Sequence, residues 1–233
     1  MLLRQLFDRE SYTYTYLLAD EQTGEAVLID PVAEQLDFYL QLVDELVLKL
    51  VLALDTHVHA DHITALGTLR ERTGCKAMVG VEGEVDCATE CLADGKQLYV
   101  GSIQINVIFT PGHTDDSFTF AVNDRGTDYL FTGDTLFIRG TGRTDFQNGD
   151  PGQLYDSLHE KILTFPDEAI VYPAHDYKGW TMSTIGEEKR HNPRLQPVTK
   201  EAFIELMNSL DLPNPKMMDV AVPANRACGL GND

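Results

Sequence analysis

The segment 57–62, with the sequence His-Val-His-Ala-Asp-His, constrains the fold of this chain more than any other feature. It lies just beyond the apolar run 48–54, which is rich in leucine and predicts a buried strand. His57 and His59 are two residues apart, so their side chains point the same way in an extended backbone. Three of the chain's seven histidines fall in this segment. A polar loop that contains three histidines by chance is therefore the weaker interpretation. Because neutral imidazole binds first-row transition metals strongly, the segment predicts a metal site at a strand end.

Three further candidate ligands occupy similar places in the sequence. Each lies a few residues beyond a short apolar run and has Gly or Pro nearby, which permits the sharp turns that expose a side chain at a sheet edge. They are His113 after 103–109, Asp134 after 129–130 and His175 after 169–170. Together with the segment 57–62, they place five of the seven histidines at predicted strand ends.

Spacing alone leaves the number of metal ions open. Two adjacent positions are one arrangement, with His57, His59 and His113 at the first, Asp61, His62 and His175 at the second, and Asp134 between them. A dinuclear zinc site of this kind generates hydroxide at neutral pH and hydrolyses a thioester or a lactam. A single metal ion surrounded by the remaining polar residues fits the same spacing.

The net charge of the chain limits the classes of partner that it can bind. Its 37 acidic residues outnumber its 18 basic residues, which gives a net charge of −19. Such a surface repels phosphate backbones and anionic lipid, so we expect no nucleic-acid or membrane partner. No apolar stretch approaches the roughly 18 residues of a membrane span. The N-terminal residues lack the features of a secretion signal, so we expect a cytoplasmic protein, although a chain trimmed after import into an organelle would look the same.

The pattern of apolar residues predicts one globular domain over residues 1–233. We expect a β-hairpin from 12–18 and 25–30, and helices over 36–46, 62–72, 152–165 and 200–210, the last capped near Thr199. The prolines and glycines of 213–233 predict an irregular tail that wraps the surface. We expect the four cysteines, of which Cys87 and Cys91 share a predicted helix, to be free thiols.

The chain resembles a known family. The order of His57, His59, Asp61, His62, His113, Asp134 and His175 is similar to that of the metallo-β-lactamase fold. Four further segments, 138–147, 172–177, 192–194 and 221–225, narrow the resemblance to the persulfide dioxygenases. The similarity runs from Leu2 to about Gly229. It implies an α+β fold, the αββα sandwich of two mixed β-sheets flanked by helices.

The resemblance also implies a cofactor and a reaction. The persulfide dioxygenases use one Fe(II) per chain, and the resemblance assigns its ligands to His57, His113 and Asp134. The residues expected to surround these ligands are His59, Asp61, His62 and His175. The implied reaction oxidises glutathione persulfide with O₂ to sulfite and glutathione. A second copy of the chain, which would form a homodimer, is a further candidate partner. The alternative is a dinuclear zinc thioester hydrolase similar to glyoxalase II, and a metal-free scaffold leaves the placed histidines unexplained.

Glutathione persulfide is anionic, so its binding needs local cations. Arg guanidinium holds a carboxylate through two parallel hydrogen bonds. The candidate substrate-binding residues are Arg139, Arg143, Tyr177 and Arg226, each of which lies near a candidate ligand in sequence or within a segment that resembles the family. The competing interpretation of each arginine is an ion-paired surface residue, and Arg143 stands close to Asp145.

Overall fold

The chain divides into two compact units. The computed structural model describes residues 1–83, 85, 88–197, 199–213 and 217–230. The first unit contains Met1–Leu92, Gln97–Ile105 and Asn214–Asp233, and the second contains Ala93–Lys96 and Asn106–Pro213. That the whole chain is one domain stays a prediction.

The first β-sheet has six strands in sequence order. They are β1 (Leu2–Phe7), β2 (Tyr14–Ala19), β3 (Glu25–Ile29), β4 (Lys49–Leu54), β5 (Lys76–Gly80) and β6 (Glu90–Leu92). Strands β1 to β3 pair antiparallel and β3 to β6 pair parallel, so the sheet is mixed. The predicted hairpin is confirmed as β2 and β3. Because parallel strands end at the same edge of a sheet, the residues that follow β3 and β4 come together.

The second β-sheet is also mixed. Its strands are β7 (Gln97–Val100), β8 (Ile103–Phe109), β9 (Phe118–Asp124), β10 (Thr127–Gly133), β11 (Ile170–Pro173) and β12 (Ser183–Thr184), in the order β12-β11-β10-β9-β8-β7. Strand β10 is antiparallel to β9 and parallel to β11. The candidate ligands Asp134 and His175 therefore follow two neighbouring parallel strands.

Six α-helices accompany the sheets in the part of the chain that the structure describes. They are α1 (Leu36–Glu45), α2 (Leu66–Thr73), α3 (Pro151–Asp156), α4 (Ile185–His191), α5 (Lys200–Asn208) and α6 (Met218–Arg226). Helix α3 continues into a π-helical turn, Ser157–Lys161, and a 3-10 turn, Ile162–Thr164. Further 3-10 turns cover Ala33–Gln35, Val81–Gly83 and Pro193–Leu195. The predicted α+β class with two mixed sheets and helices is confirmed. No helix in the described part of the chain has the length and apolar composition needed to cross a membrane.

Two predictions about where helices form are wrong. The C-terminal segment is not irregular throughout, because α6 forms there with Pro223 inside it. Its buried or half-buried residues Met218, Ala221, Val222 and Asn225 recur at helical spacing, and their packing outweighs the backbone hydrogen bond that proline cannot donate. The helix expected to start at His62 begins instead at Leu66, because the backbone N of Thr64 donates to Oδ1 of Asn225 and that of Ala65 donates to the carbonyl oxygen of Pro31.

The cysteines differ from expectation in two respects. Cys91 lies in the strand β6 and not in a helix, and Cys87 is outside the described residues. Cys228 is buried and disulfide-bonded, so the expectation of free thiols is wrong for this residue. Cys75 is a free, buried thiol.

Candidate metal centre

The first unit brings together the histidines of the segment 57–62, which we call the histidine segment. His57, His59 and His62 are each at most 2% exposed. The ring centroids of His57 and His59 are 4.1 Å apart, and those of His59 and His62 are 4.3 Å apart. Asp61 joins them, since one oxygen lies 3.0 Å from Nδ1 of His62. One atom from each of His59, Asp61 and His62 lies within 4.8 Å of the others, a spacing that permits metal binding.

A hydrogen-bonded chain orients the His57 ring. Thr56 Oγ1 donates its one hydrogen to Oδ2 of Asp30 at 3.1 Å, so it accepts from Nδ1 of His57, which is 3.0 Å away. The hydrogen of the neutral His57 ring is therefore on Nδ1, and Nε2 carries the lone pair that a metal needs. His59 differs, because its Nε2 donates to Oδ1 of Asp30 at 3.1 Å.

Asp30 is a site residue that the sequence reasoning missed. It is 1% exposed and follows β3, whereas the histidine segment follows the neighbouring parallel strand β4. Its carboxylate also accepts from the backbone N of Thr56 at 2.7 Å. The signal was present in the sequence, since Asp30 ends an apolar run in the same way as the other candidates.

The second unit brings together His113, Asp134 and His175. The carboxylate of Asp134 lies between the two rings, with Oδ2 3.4 Å from Nε2 of His113 and Oδ1 3.6 Å from Nε2 of His175. Nδ1 of His113 donates to the carbonyl oxygen of Arg143 at 2.7 Å, so Nε2 of the neutral ring carries the lone pair. A lone pair therefore faces a carboxylate oxygen, as expected when both bind one cation.

Gly142 allows this arrangement by the close approach of two backbone segments. Its N–H donates to the carbonyl oxygen of Asp134 at 2.8 Å. A Cβ atom at this position would lie 2.3 Å from that same oxygen and 2.8 Å from the ring of His113. No side chain fits there without displacing two candidate ligands.

Both predicted arginines of the second unit have partners within the chain. Arg139 forms ion pairs with Glu187 and with the buried Glu188, and its guanidinium carbon is 5.0 Å from the ring centroid of Trp180. Arg143 donates from Nε and Nη2 to the two oxygens of Asp145 at 2.6 and 2.8 Å. These hydrogen bonds lower the pKa of the Asp145 carboxyl.

The remaining two substrate-binding candidates are exposed. Tyr177 is 65% exposed, and its ring is nearly parallel to that of His175, with centroids 6.1 Å apart. Arg226 is the last residue of α6, and its side chain is exposed. The preceding residue, Asn225, hydrogen-bonds the backbone of the histidine segment.

Comparison with known proteins gives consistent results. A family model described as the metallo-beta-lactamase superfamily matches residues 8–90 and 95–175. The mitochondrial persulfide dioxygenase ETHE1 of Mus musculus is 47% identical over 235 residues, which cover 99% of this chain and 89% of that protein. The crystal structure of ETHE1 from Myxococcus xanthus has a TM-score of 0.95 at 56% identity and covers 99% of this chain and 100% of its own. A di-iron-bound structure of TTHA1623 has a TM-score of 0.68 at 25% identity and covers 82% of this chain and 98% of its own.

Proposed function

The chain belongs to the metallo-β-lactamase superfamily and, within it, to the persulfide dioxygenases, and from this premise we propose that its substrate is glutathione persulfide and its cofactor one Fe(II). The enzyme is an oxidoreductase that oxidises a persulfide. In the proposed reaction, glutathione persulfide, O₂ and water give glutathione, sulfite and two protons. The observation that carries this proposal is the 47% identity to a persulfide dioxygenase over nearly the whole chain.

We assign the iron ligands to His57, His113 and Asp134. These two histidines and one carboxylate would hold Fe(II), and the bound ion would supply the redox chemistry that a reaction with O₂ requires. The ring orientations support the assignment, because His57 and His113 each have their hydrogen on Nδ1 and their lone pair on Nε2.

The other polar residues hold these ligands in place. Asp30 reaches His57 through the hydroxyl of Thr56, and Arg143 holds His113 through its carbonyl oxygen. His59, Asp61, His62 and His175 surround the ligands in this assignment. Hydrogen bonds of this kind fix ring orientation and raise the basicity of the ligand. The residues present therefore suit an iron ion held by His57, His113 and Asp134.

Oxygen consumption tests the proposed function. The chain reconstituted with Fe(II) under nitrogen is expected to consume O₂ when glutathione persulfide is added, and to release sulfite in equal amount. An oxygen electrode and a sulfite assay measure both. The thioester hydrolase alternative predicts a different result, namely cleavage of S-lactoylglutathione under nitrogen. Absence of oxygen uptake by iron-loaded protein would overturn the proposal.

The compartment is proposed from the sequence. We place the enzyme in the cytoplasm, in keeping with the prediction made from its sequence. The relative from Mus musculus is named as mitochondrial. We also propose a homodimer, which sedimentation of the purified protein would test.

Arg226 is the proposed anchor for a carboxylate of glutathione. In a chain with a net charge of −19, an anionic substrate gains little from long-range attraction and must be held by local cations. Losing a charge-assisted hydrogen bond costs roughly 1.5–3 kcal/mol. We therefore expect Arg226→Ala to lower kcat/KM by about ten- to a hundredfold, mainly through KM. Steady-state oxygen uptake measures both constants.

A matched substitution controls for the loss of a surface charge. Arg72 is an exposed arginine in the last turn of α2. Arg72→Ala is expected to leave both kinetic constants unchanged, and both variants are expected to retain iron. If Arg226→Ala keeps the wild-type kcat and KM, Arg226 does not bind the carboxylate of glutathione. Arg139 or Arg143 then becomes the better candidate, although each already pairs with a carboxylate of the chain.

A further inference from the structure

Asn225 is a buried amide whose hydrogen bonds all go to the loop that contains the histidines. It lies in α6, 3% exposed. Its Nδ2 donates to the carbonyl oxygens of His59 at 2.9 Å and His62 at 2.8 Å. Its Oδ1 accepts from the backbone N of Thr64 at 2.8 Å. One side chain thus engages three backbone groups, with both of its donor hydrogens used.

The loop depends on such contacts because it has no regular secondary structure of its own. Between the end of β4 and the start of α2, its strand-like pairing is an isolated bridge, Val32 to Thr64, and its backbone hydrogen bonds include those of Asp55, Ile63 and Ala65. A buried carbonyl oxygen that loses its donor is left with a desolvation cost, so it moves to find another partner. The ring of His59 lies 4.1 Å from that of the proposed iron ligand His57, and the ring of His62 lies 4.3 Å from that of His59.

Steric contact fixes the position of Asn225 independently. Gly229 has a φ of +70°, and a Cβ atom there would lie 2.0 Å from the carbonyl oxygen of Thr64. The backbone N of Gly67 donates to the carbonyl oxygen of Cys228 at 2.9 Å. The C-terminal backbone therefore lies directly against Thr64 in the loop and against Gly67 in the first turn of α2, and Asn225 has little freedom to move away.

We propose that Asn225 is a positioning residue for the iron site, one that sets the backbone of the histidine segment and through it the ring of His57. This inference rests on the proposed function. It predicts that disturbing Asn225 alters how iron is held, whereas a change elsewhere of similar cost to the fold does not.

Two substitutions at this position separate charge from shape. Asn225→Asp keeps the size of the side chain and the acceptor for Thr64, but it sets a carboxylate oxygen against two carbonyl oxygens. Asn225→Ala removes all three hydrogen bonds. Thr199→Ala is the control, because it removes the side-chain cap of α5, which accepts from the backbone N of Ala202, and contacts none of these groups.

We expect both Asn225 variants to lose iron to a chelator about ten- to a hundredfold faster than wild type. Turnover should fall by a similar factor while KM stays within about twofold, since the substrate contacts are intact. The electron paramagnetic resonance spectrum of the nitric-oxide-treated Fe(II) protein should also change. Thr199→Ala should match wild type in all three measurements.

Several outcomes decide the matter. A wild-type rate of iron loss and an unchanged spectrum in Asn225→Asp would overturn the inference, as would equal changes in Thr199→Ala. If neither Asn225 variant reaches the wild-type circular dichroism, the residue holds the fold and not the site, which also overturns it. If the wild-type protein itself retains no iron, the proposed function is wrong. If the wild-type protein retains iron and the variants lose it at the same rate, the proposed function stands and only the inference about Asn225 is wrong.

Discussion

His113→Ala is expected to abolish iron retention and oxygen uptake together. A site with two histidines and one carboxylate has no spare protein ligand, so removing one imidazole leaves the ion held by two groups. Nε2 of His113 faces Oδ2 of Asp134 at 3.4 Å, and Gly142 packs against both residues. Metal analysis after gel filtration, with oxygen uptake on the same sample, measures the result.

His62→Ala is the matched substitution for His113→Ala. His62 is 2% exposed, and its Nδ1 donates to Oδ2 of Asp61 at 3.0 Å. We assign it to the surroundings of the ligands, so the variant should keep most of its iron and lose about ten- to a hundredfold in activity. Its Nε2 is buried without a hydrogen-bond partner among the described residues. Close to two metal ions per chain in wild type, or complete loss of metal in His62→Ala, would therefore reveal a second metal position.

Glu188→Ala is expected to cost about 3–5 kcal/mol in the free energy of unfolding. Glu188 is fully buried and pairs with Arg139, whose backbone N also donates to it at 2.8 Å. Ser183 Oγ and Asn192 Nδ2 donate to the same carboxylate at 2.6 and 2.9 Å. Removing the carboxylate leaves these donors buried without their acceptor. Urea unfolding should show a lower midpoint at an unchanged slope.

The neighbouring residue supplies the control. Glu187 also pairs with Arg139, but its side chain is 41% exposed. Water solvates an exposed ion pair and screens its attraction, so Glu187→Ala should cost less than about 1 kcal/mol. If Glu187→Ala and Glu188→Ala lower the free energy of unfolding equally, burial does not determine how much Glu188 stabilises the fold.

Features set by nearby residues were predicted from the sequence. Gly74 ends α2 with a φ of 75°, as expected for a glycine that follows the last helical turn. Thr199 caps α5 through its side chain. The apolar run before the histidine segment forms the buried strand β4. Each of these features depends on residues within a turn or a strand, where sequence and structure are directly linked.

Features that depend on distant residues were not predicted. Glu188 meets Arg139 across 49 positions of sequence, and it lies in α4, a short helix that the sequence reasoning did not identify. Asp30 meets His59 across 29 positions, which only the pairing of β3 with β4 brings together. No local pattern encodes such pairs, because the partner is selected by packing.

Trp180 makes the ion pairs of Arg139 with Glu187 and Glu188 observable by fluorescence. It is the one tryptophan of the chain, it is 41% exposed, and its ring faces the guanidinium group of Arg139. Selective excitation of indole therefore gives emission from a single place in the protein. A cation above the ring affects that emission, so its intensity reports whether Arg139 is still held by Glu188. The chain thus contains an intrinsic optical probe of local order around Arg139, separate from the far-ultraviolet signal of the whole fold.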